Sequence, residues 1–569
     1  MRASRKTRFV LLLAVAIVVL LMVRAFGPVA FRMLVAPSGV RVTISKETTH
    51  IVQPLRSDGC VDYVAALNER LSRGVTPDNN AVVLLLKAIG PRRIGEAHRE
   101  KYFRLLGIPP LPEDGEYFVT IFAYSKGRKA LSERSCSTNE AMRNVERVVQ
   151  ESLKQVDDAF KSGKFDPKKD EEYILFDQLT KGLRRPWSEK EFPRLAGWLR
   201  ANEKPLALAV EATKRPRRFD PVVCEDGGMC LAFVDGLSDY KYVGEALAAR
   251  SMLRTEKGDV DGALDDLLAC HRLARLVGQG PSLVDQLFAI GIARTAWGAD
   301  AALLGHVQLT ARQAARIPNE LDKMPPMTTV AEAIDGCERY LFLDGVGIAA
   351  RGQIGPLLGD DGAVSKDAGV LRRLSGRWQS AKFDWDMLLR ICNPWFDRIV
   401  DACGKPTRAE RQAAFQAVNA AWKKTERSGW RAGLFQALGD QRKVNSQRLA
   451  RETVTDYLSA FCFASKEEDA GVMKAQLGRL AFALAAYRAD HGRYPAKLAQ
   501  LSPAYVAEIP KDFFDNDSDL RYRPQGDGYI LYSVGVNGKD DGGRSEDERD
   551  FSRLHDECDD IVVRVPAAR

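Results

Sequence analysis

The sequence predicts a mainly α-helical protein with an N-terminal membrane segment and a small C-terminal α+β domain. Three observations predict it: a basic flank before an apolar run, helical spacing of apolar residues from about residue 141 to residue 464, and a helix followed by short strands near the end. The predicted divisions are 1–35, 36–465 and 466–569, with a possible further division near 345–370. At 569 residues the chain exceeds one ordinary domain.

The N-terminus has the charge pattern of an export signal. Arg2, Arg5, Lys6 and Arg8 precede an apolar run over residues 9–23, and the positive flank of such a run stays in the cytoplasm. We favour an uncleaved signal anchor over a cleaved signal peptide, and both leave the bulk of the chain outside the cytoplasm. The expected location is a bacterial cytoplasmic membrane, crossed once, with the bulk in the periplasm.

The composition is that of a folded globular chain with a mixed-charge surface. Hydrophobic residues make up 45% and charged residues 28%, and the net charge of +8 is small for this length. Basic residues alternate with acidic ones, and no basic stripe with stacking aromatics is present. We therefore expect no nucleic-acid partner. The expected contacts are the membrane, through the N-terminal helix, and protein partners of unknown identity.

Cysteine usage is compatible with an oxidising compartment. There are ten cysteines, and an exported chain can form disulfides. The best local pair is Cys224 and Cys230, and Cys392 with Cys403 is a weaker candidate. A zinc site at Cys224 and Cys230 would need two further ligands at suitable spacing, so structural thiols or one disulfide are favoured.

Helices dominate the central region. Apolar spacing predicts helices over Val145–Ser162, Val243–Glu256, Val260–Val277, Ser282–Leu304, Ala409–Lys424 and Val444–Phe461. Residues 39–53 favour a strand or an extended segment, and residues 117–124 favour a short strand, with a buried helix end as the alternative. The glycine-rich segment 344–362 favours a flexible loop.

The helices on either side of Gly258 resemble one tetratricopeptide hairpin. Gly258, Ala263 and Leu267 fall at the spacing of that repeat, but Arg250 and Arg254 occupy positions where it has apolar residues. No second copy follows at the required period, so a helical hairpin within an irregular α-domain is the expected structure. His271 lies on the apolar face of its helix and is expected to be a core histidine rather than a ligand.

No catalytic motif is found along the chain. Nucleophile elbows, P-loops and zinc-binding His spacings are absent from the sequence. We therefore expect no catalytic residues and a non-enzymatic role. The alternative is an exported hydrolase whose site lies in the helical region; a deep pocket with convergent carboxylates, or His271 beside a nucleophile, would favour it.

The last hundred residues predict one helix packed on a small antiparallel sheet. Apolar spacing gives a helix over Val472–Arg488, and strands are expected over residues 520–523, 529–534 and 561–565. The sequence Gly-Asp-Gly at 526–528 is typical of a hairpin turn.

The motifs of this region resemble the soluble domain of the major pseudopilin of type II secretion. They are D-H-G-R-Y-P at 490–495, P-K-D-F at 510–513, S-V-G-V-N-G at 533–538 and D-D-I at 559–561. The resemblance covers about residues 470–566 and implies a calcium-binding loop. Carried over position by position, its ligands are the side chains of Asn537, Asp559 and Asp560 with the carbonyls of Val534 and Lys539. Calcium prefers six to eight oxygen ligands of this kind.

The chain departs from the pseudopilin pattern in several ways. Asn537 replaces an aspartate, Phe513 replaces a proline, and the acidic loop from Asp540 to Cys558 is much longer. The apolar N-terminal segment is not continuous with the C-terminal helix, so we do not expect the chain to polymerise as a pilin does. The rest of the chain resembles multi-domain bacterial envelope proteins. The expected role is a membrane-anchored extracytoplasmic scaffold that carries a calcium-binding module.

Overall fold

The structure is a computed structural model, and it describes residues 42–125, 171–224, 229, 236–351, 382–436, 441–548 and 557–566. Within these ranges the chain is mainly α-helical, as the sequence predicts. The predicted membrane segment, the predicted helix Val145–Ser162 and Cys230 lie outside the described residues.

Most of the described residues lie in α-helices. In chain order they are α1 (Tyr63–Ser72), α2 (Ala81–Ile89), α3 (Arg99–Leu106), α4 (Ile121–Ser125), α5 (Glu171–Gly182), α6 (Pro193–Ala201), α7 (Glu203–Thr213), α8 (Leu237–Glu256), α9 (Val260–Val277), α10 (Leu283–His306), α11 (Ala311–Asp322), α12 (Val330–Ala333), α13 (Arg339–Arg351), α14 (Trp385–Cys403), α15 (Arg408–Gln436) and α16 (Gln441–His491). A π-helical turn over Ile334–Glu338 joins α12 to α13.

The three central helices α8, α9 and α10 pack on one another as sequence neighbours. Asp259 begins α9 by accepting a hydrogen bond from the backbone N–H of Gly262. A capping box between Ser282 and Asp285 begins α10, so each start satisfies backbone donors that have no partner within the helix. The predicted helices of this region are confirmed.

The two arginines that fit the tetratricopeptide pattern poorly form ion pairs between α8 and α9. Arg250 lies 2.6 Å and Arg254 3.0 Å from the carboxylate of Asp266, whose side chain is 1% exposed. A buried carboxylate requires charged partners. These arginines therefore fix the hairpin through a shared carboxylate rather than through apolar packing.

Two large hydrophobic cores are joined by one helix. The first core contains buried residues of α8, α9 and α10, and the second contains those of α13 and α14. The 51-residue helix α16 contributes Leu449–Ala464 to the second core and Met473–Tyr487 to the first. The boundary at 465/466 lies inside this helix, in the stretch between the two cores.

The chain ends in a helix-plus-sheet arrangement. Strands β1 (Lys511–Asp512) and β2 (Ser518–Asp519) form a short ladder, while β3 (Arg521–Gln525), β4 (Gly528–Ser533) and β5 (Ile561–Val565) form an antiparallel sheet in the order β3-β4-β5. The predicted strands and hairpin turn are confirmed.

This sheet is packed into the helical body. Leu531 faces Tyr522 on one side and Val563 on the other, and Leu531 and Val563 are both buried in the first core. Strand β5 lies against α10 and α16, and Lys474 of α16 donates a hydrogen bond to the carbonyl of Val562 at 2.5 Å. An edge strand covered in this way is protected from pairing with other chains.

Some local predictions are wrong. Residues 42–53 contain no strand and form turns over 45–50, and residues 344–351 of the glycine-rich segment are helical rather than a loop. Residues 121–125 are helical, as in the alternative to a strand for that segment. Val346, Ala349 and Ala350 are buried in the second core, and this packing overrides the local loop preference of the glycine-rich segment.

Cys392 and Cys403 are free cysteines on the same helix. Eleven residues of helix separate them by about 16 Å, too far for a disulfide.

By length and composition, α10 is long and apolar enough to cross a membrane, and among the described helices it alone is so. Half of its most apolar window is buried inside the protein. Core helices pass the same test, and α10 contributes Ala289, Ile292 and Ala296 to the first core.

Glu338 is a wholly buried carboxylate at the N-terminus of α10. One of its oxygens accepts a hydrogen bond from the backbone N–H of Leu283 at 2.8 Å, and the other has no hydrogen-bond partner among the described residues. Burial raises the pKa of Glu338 to about 7; the bond from Leu283 opposes this shift, and the nearby carboxylate of Asp285 adds to it.

The raised pKa of Glu338 predicts a stability that declines with pH. The folded chain binds this proton more tightly than the unfolded chain, so the free energy of unfolding falls as pH rises from about 4.5 to about 7. A shift of this size corresponds to roughly 3 kcal/mol. Glu338→Gln keeps the acceptor for Leu283 but cannot ionise, so its unfolding midpoint should depend less on pH and exceed that of the parent chain near pH 8.

Thermal unfolding near pH 5 and near pH 8 measures this difference. Glu100→Gln removes a carboxylate that is 89% exposed and should leave the pH profile unchanged. The same pH dependence in Glu338→Gln and in the parent chain would contradict the prediction.

Candidate functional site

A cleft of about 990 Å³ opens where the helical body meets the C-terminal sheet. Its walls are α9, α10, the turn from α14 to α15, residues Glu467–Arg479 of α16, and residues Asp559–Val562 at the start of β5. We call this the junction cleft. Its volume is within the range of ligand-binding pockets in proteins.

The floor of the junction cleft is formed by close packing of α10 on α16. A side chain at Gly471 would meet Ile290 at 3.5 Å, and one at Gly478 would overlap the ring of Trp297. Because these positions are seven residues apart on both helices, the two helices run in the same direction with matching register. The glycines allow the large side chains of α10 to lie directly on α16.

Three consecutive carboxylates line one end of the cleft. Burial raises the pKa values of Glu467, Glu468 and Asp469. Glu467 lies 3.6 Å from Arg294, Glu468 accepts a hydrogen bond from the N–H of Val330 at 2.9 Å, and Asp469 pairs with Arg411. Of these three carboxylates, Glu467 and Asp469 have an arginine partner, whereas Glu468 is held by a backbone N–H.

The opposite end of the junction cleft, at Arg479 of α16, has an excess of cations. Arg479 pairs with Asp322 at 2.6 Å. Burial lowers the pKa of Arg275, Arg479 lowers it further, and among the described residues Asp322 is the only carboxylate that opposes this shift. Two guanidinium groups therefore share one carboxylate.

A third cation, Arg408, joins the helical body to the C-terminal loop. It donates a hydrogen bond to the carbonyl of Val536 at 3.3 Å and lies 4.5 Å from the centre of the Phe514 ring. Burial lowers the pKa of Arg408, although the carboxylates of Asp469 and Asp512 oppose the shift. These contacts attach the first turn of α15 to the loops that follow β1 and β4.

His271 is a buried histidine with a carboxylate partner. Its Nε2 lies 2.6 Å from Oδ2 of Asp300, each side chain is 3% exposed, and its ring centre is 4.2 Å from that of Trp297. Burial raises the pKa of Asp300, and the His271 interaction opposes this shift. The prediction of a satisfied core histidine agrees with this geometry, although the ring also borders the junction cleft. No hydroxyl or thiol of the described residues is hydrogen-bonded to it.

Three of the five predicted calcium ligands lie together. The backbone N–H of Asn537 donates to the carboxylate of Asp559 at 3.0 Å, and Oδ1 of Asn537 accepts from the N–H of Lys539 at 2.6 Å. Val534 is buried, and its N–H donates to the carboxylate of Asp512 at 3.0 Å.

Asp560 belongs to the same loop through other partners. Its carboxylate accepts hydrogen bonds from the N–H groups of Asp541 at 3.3 Å and Gly543 at 2.7 Å. Burial raises the pKa of Asp560 to about 6; these two bonds oppose the shift, and the carboxylates of Asp541 and Asp540 add to it. The site therefore has crowded negative charge.

Sequence reasoning missed two carboxylates of this region. Asp541 accepts from Nδ2 of Asn537 and from the N–H of Asp559, both at 3.3 Å, and so closes the loop. Asp512, wholly buried, accepts from the hydroxyl of Ser533 and holds the end of β4. The acidic run after Lys539 and the P-K-D-F motif were the available signals, but neither indicated which carboxylate would turn inward.

The oxygen atoms of the loop around Asn537 are of the kind that calcium binds. The same loop is also held closed by hydrogen bonds within the protein. Nδ2 of Asn537 lies between the Asp541 carboxylate and the Glu557 carbonyl, with the latter at 2.9 Å. Across the described ranges, no group of three or more His, Cys, Asp or Glu side chains is arranged to hold a metal ion. A calcium ion here would depend on amide and carbonyl oxygens in addition to carboxylates.

No family model, curated protein or solved structure matches this chain. A functional assignment therefore depends on the geometry of the junction cleft and of the C-terminal loop.

The close contact between Gly478 and Trp297 predicts a specific destabilisation. Gly478→Ala places a methyl group where the buried ring lies, so α10 and α16 must separate; overpacking of this kind costs about 1–3 kcal/mol. Gly291→Ala is the matched control, because a side chain there meets no heavy atom within 4 Å, and it should be neutral or stabilising by up to ~1 kcal/mol. Equal unfolding midpoints for the two variants would contradict this packing.

Proposed function

We propose that this chain is a membrane-anchored extracytoplasmic interaction protein whose C-terminal unit is a pseudopilin-like, calcium-binding module. The observation that carries the interaction role is the junction cleft, a pocket of about 990 Å³ with carboxylates at one end and unbalanced guanidinium groups at the other. Charge separated in this way favours the binding of a complementary partner.

The order of elements supports the pseudopilin-like part of the proposal. The end of α16 leads into the D-H-G-R-Y-P motif, and the β3-β4 hairpin and β5 follow in the order expected from the resemblance. Asp512 of the P-K-D-F motif anchors Ser533 and Val534 of the S-V-G-V-N-G motif. Three of the four motifs that carry the resemblance, P-K-D-F, S-V-G-V-N-G and D-D-I, are thus linked by hydrogen bonds.

The calcium part of the proposal depends on the loop around Asn537. The groups that would hold the ion are the Asp559 and Asp560 carboxylates, the amide oxygen of Asn537 and the carbonyls of Val534 and Lys539, with Asp541 available beside them. A bound calcium ion would neutralise these crowded carboxylates.

Calcium should raise the thermal unfolding midpoint of the full chain relative to a chelator. A ligand bound only by the folded state stabilises it by ~2.7 kcal/mol at a hundredfold excess over its dissociation constant. Asp559→Asn with Asp560→Asn should abolish the shift. Asp527→Asn, which makes the same charge change in the exposed hairpin turn, should retain it. An identical midpoint with calcium and with chelator would contradict calcium binding.

Asn537→Asp tests the same site in the opposite direction, because it adds a carboxylate and should increase the response to calcium. Without calcium the new carboxylate would face the Asp541 carboxylate and the Glu557 carbonyl, and the two hydrogen bonds from Nδ2 would be lost. The unfolding midpoint should therefore fall in chelator and rise more steeply with calcium than in the parent chain. A smaller calcium response in this variant would contradict the ligand role of residue 537.

Hydrolysis is a second candidate function, favoured by the His271–Asp300 pair at the border of the junction cleft. A carboxylate that orients an imidazole is a feature of general-base catalysis, and the pKa-raised carboxylates of Glu467 and Glu468 line the same cleft. However, none of the described hydroxyls or thiols is hydrogen-bonded to His271, so an interaction role accounts better for the geometry.

The anchor is tested by membrane fractionation and by a reporter. Alkaline phosphatase fused after Arg569 should be active, because it folds only outside the cytoplasm, and the fusion should sediment with membranes after a high-salt wash. Replacing Arg2, Arg5, Lys6 and Arg8 by Glu should lower the reporter activity, because the positive flank sets orientation. Activity recovered in the soluble fraction would contradict an uncleaved anchor, and an inactive reporter would contradict export.

A further inference from the structure

Several side chains that line the junction cleft have a buried polar atom without a hydrogen-bond partner among the described residues: Gln286 Oε1, Gln476 Oε1 and Arg411 Nε. Gln286 is the one whose amide is fixed by two backbone carbonyls. Gln286 lines the cleft and is 3% exposed. Its Nε2 donates to the carbonyls of Gly278 at 3.1 Å and Gly280 at 2.9 Å, which fixes the orientation of the amide. Its Oε1 has no hydrogen-bond partner among the described residues. A buried acceptor of this kind favours a ligand that donates a hydrogen bond.

The register of α10 on α16 places Gln286 near the acidic end of the cleft. Ile290 lies at Gly471 and Trp297 at Gly478, so one further helical turn towards the N-terminus brings Gln286 to the level of Glu467. Glu468 lines the same end. An ammonium group or another N–H donor would find three oxygen acceptors there.

The other end of the junction cleft, at Arg479, is suited to an anion. Arg275 and Arg479 share the carboxylate of Asp322, which is 60% exposed, pairs with Arg479 and is not part of the cleft lining. Eleven residues of helix separate Glu468 from Arg479, which is about 17 Å. An extended peptide of about five residues spans that distance at roughly 3.4 Å per residue.

We propose that the junction cleft binds a short zwitterionic peptide of about five residues, with its carboxylate at Arg275 and Arg479 and its ammonium group at Gln286, Glu467 and Glu468. Apolar side chains of the peptide would pack on Ile290 and Trp297 between these ends. This inference deepens, and depends on, the proposed interaction role.

Penta-alanine is the probe, measured by isothermal titration calorimetry on the full chain in detergent. Penta-alanine should bind, and amidation of its C-terminus or acetylation of its N-terminus should each weaken binding at least tenfold, which corresponds to about 1.4 kcal/mol. Dialanine, too short to reach both ends, should bind at least tenfold more weakly than penta-alanine. Absence of penta-alanine binding, or equal affinity for the blocked peptides, would overturn the proposal.

Two arginines of α9 form a matched pair of variants. Arg275→Gln removes one of the two cleft cations and should reduce the preference for a free carboxylate, with Arg479 still in place. Arg272→Gln removes a cation that pairs with Glu320 outside the cleft lining and should leave peptide binding unchanged. Thermal unfolding of both variants verifies that they fold. If Arg275→Gln folds and prefers the free carboxylate as strongly as the parent chain does, the assignment of that end is wrong.

The acceptor role of Gln286 is tested in the same way. Gln286→Glu places a carboxylate beside Glu467 and should strengthen the preference for a free ammonium group, whereas Gln286→Met should reduce it. No change in either variant would overturn the assignment of the ammonium end.

The same experiment separates this inference from the proposed function. Mass spectrometry of the peptide after incubation should recover it intact; shortened products would support the cleft as a peptide site but overturn the non-enzymatic role. Failure to bind any peptide, with membrane placement and the calcium response retained, would overturn this inference alone.

Discussion

The packing of α10 on α16 is the contact on which the rest of the structure depends. Trp297 and Ile290 lie directly on Gly478 and Gly471, and a side chain larger than hydrogen at Gly478 could not be accommodated without separating the helices. Because α16 continues into both hydrophobic cores, this contact also sets the position of the second core relative to the first. The junction cleft exists because the two helices meet here and the surrounding elements do not fill the space above them.

The C-terminal unit is part of this arrangement rather than an appendage. Its sheet packs on α16, its edge strand β5 lies against α10, and Arg408 of α15 contacts Val536 and Phe514. Residues Asp559 and Asp560 belong to the candidate calcium loop and also line the junction cleft. A cation in that loop would change the charge at the mouth of the cleft, so the two proposals concern adjoining sites.

Some buried charged side chains have a full set of oppositely charged partners, and others do not. The Asp266 carboxylate pairs with two arginines, whereas Arg275 and Arg479 share one carboxylate. Among the described residues, no cation opposes the rise in the pKa of Glu338, which is opposed only by the hydrogen bond from Leu283. Buried charges without full partners are costly. The Glu338 side chain lies at the start of α10 and outside the cleft lining, so its buried charge lowers the free energy of unfolding. The charges that line the cleft can instead be paired by a ligand.

The sequence by itself determined the helical class, the extents of α9 and β5, the hairpin at 526–528 and the motifs that meet around Asp512, because these depend on local periodicity and turn chemistry. It indicated Asn537 and Asp559 as neighbours through resemblance, but not that Asp541 would join them. Only the tertiary structure decided that Arg250 and Arg254 pair with Asp266, that segment 344–351 is helical, and that Gln286, Arg275 and Glu468 line one cleft. These residues come from helices distant in sequence, and their proximity depends on the register of α10 on α16, which packing sets and local pattern does not encode.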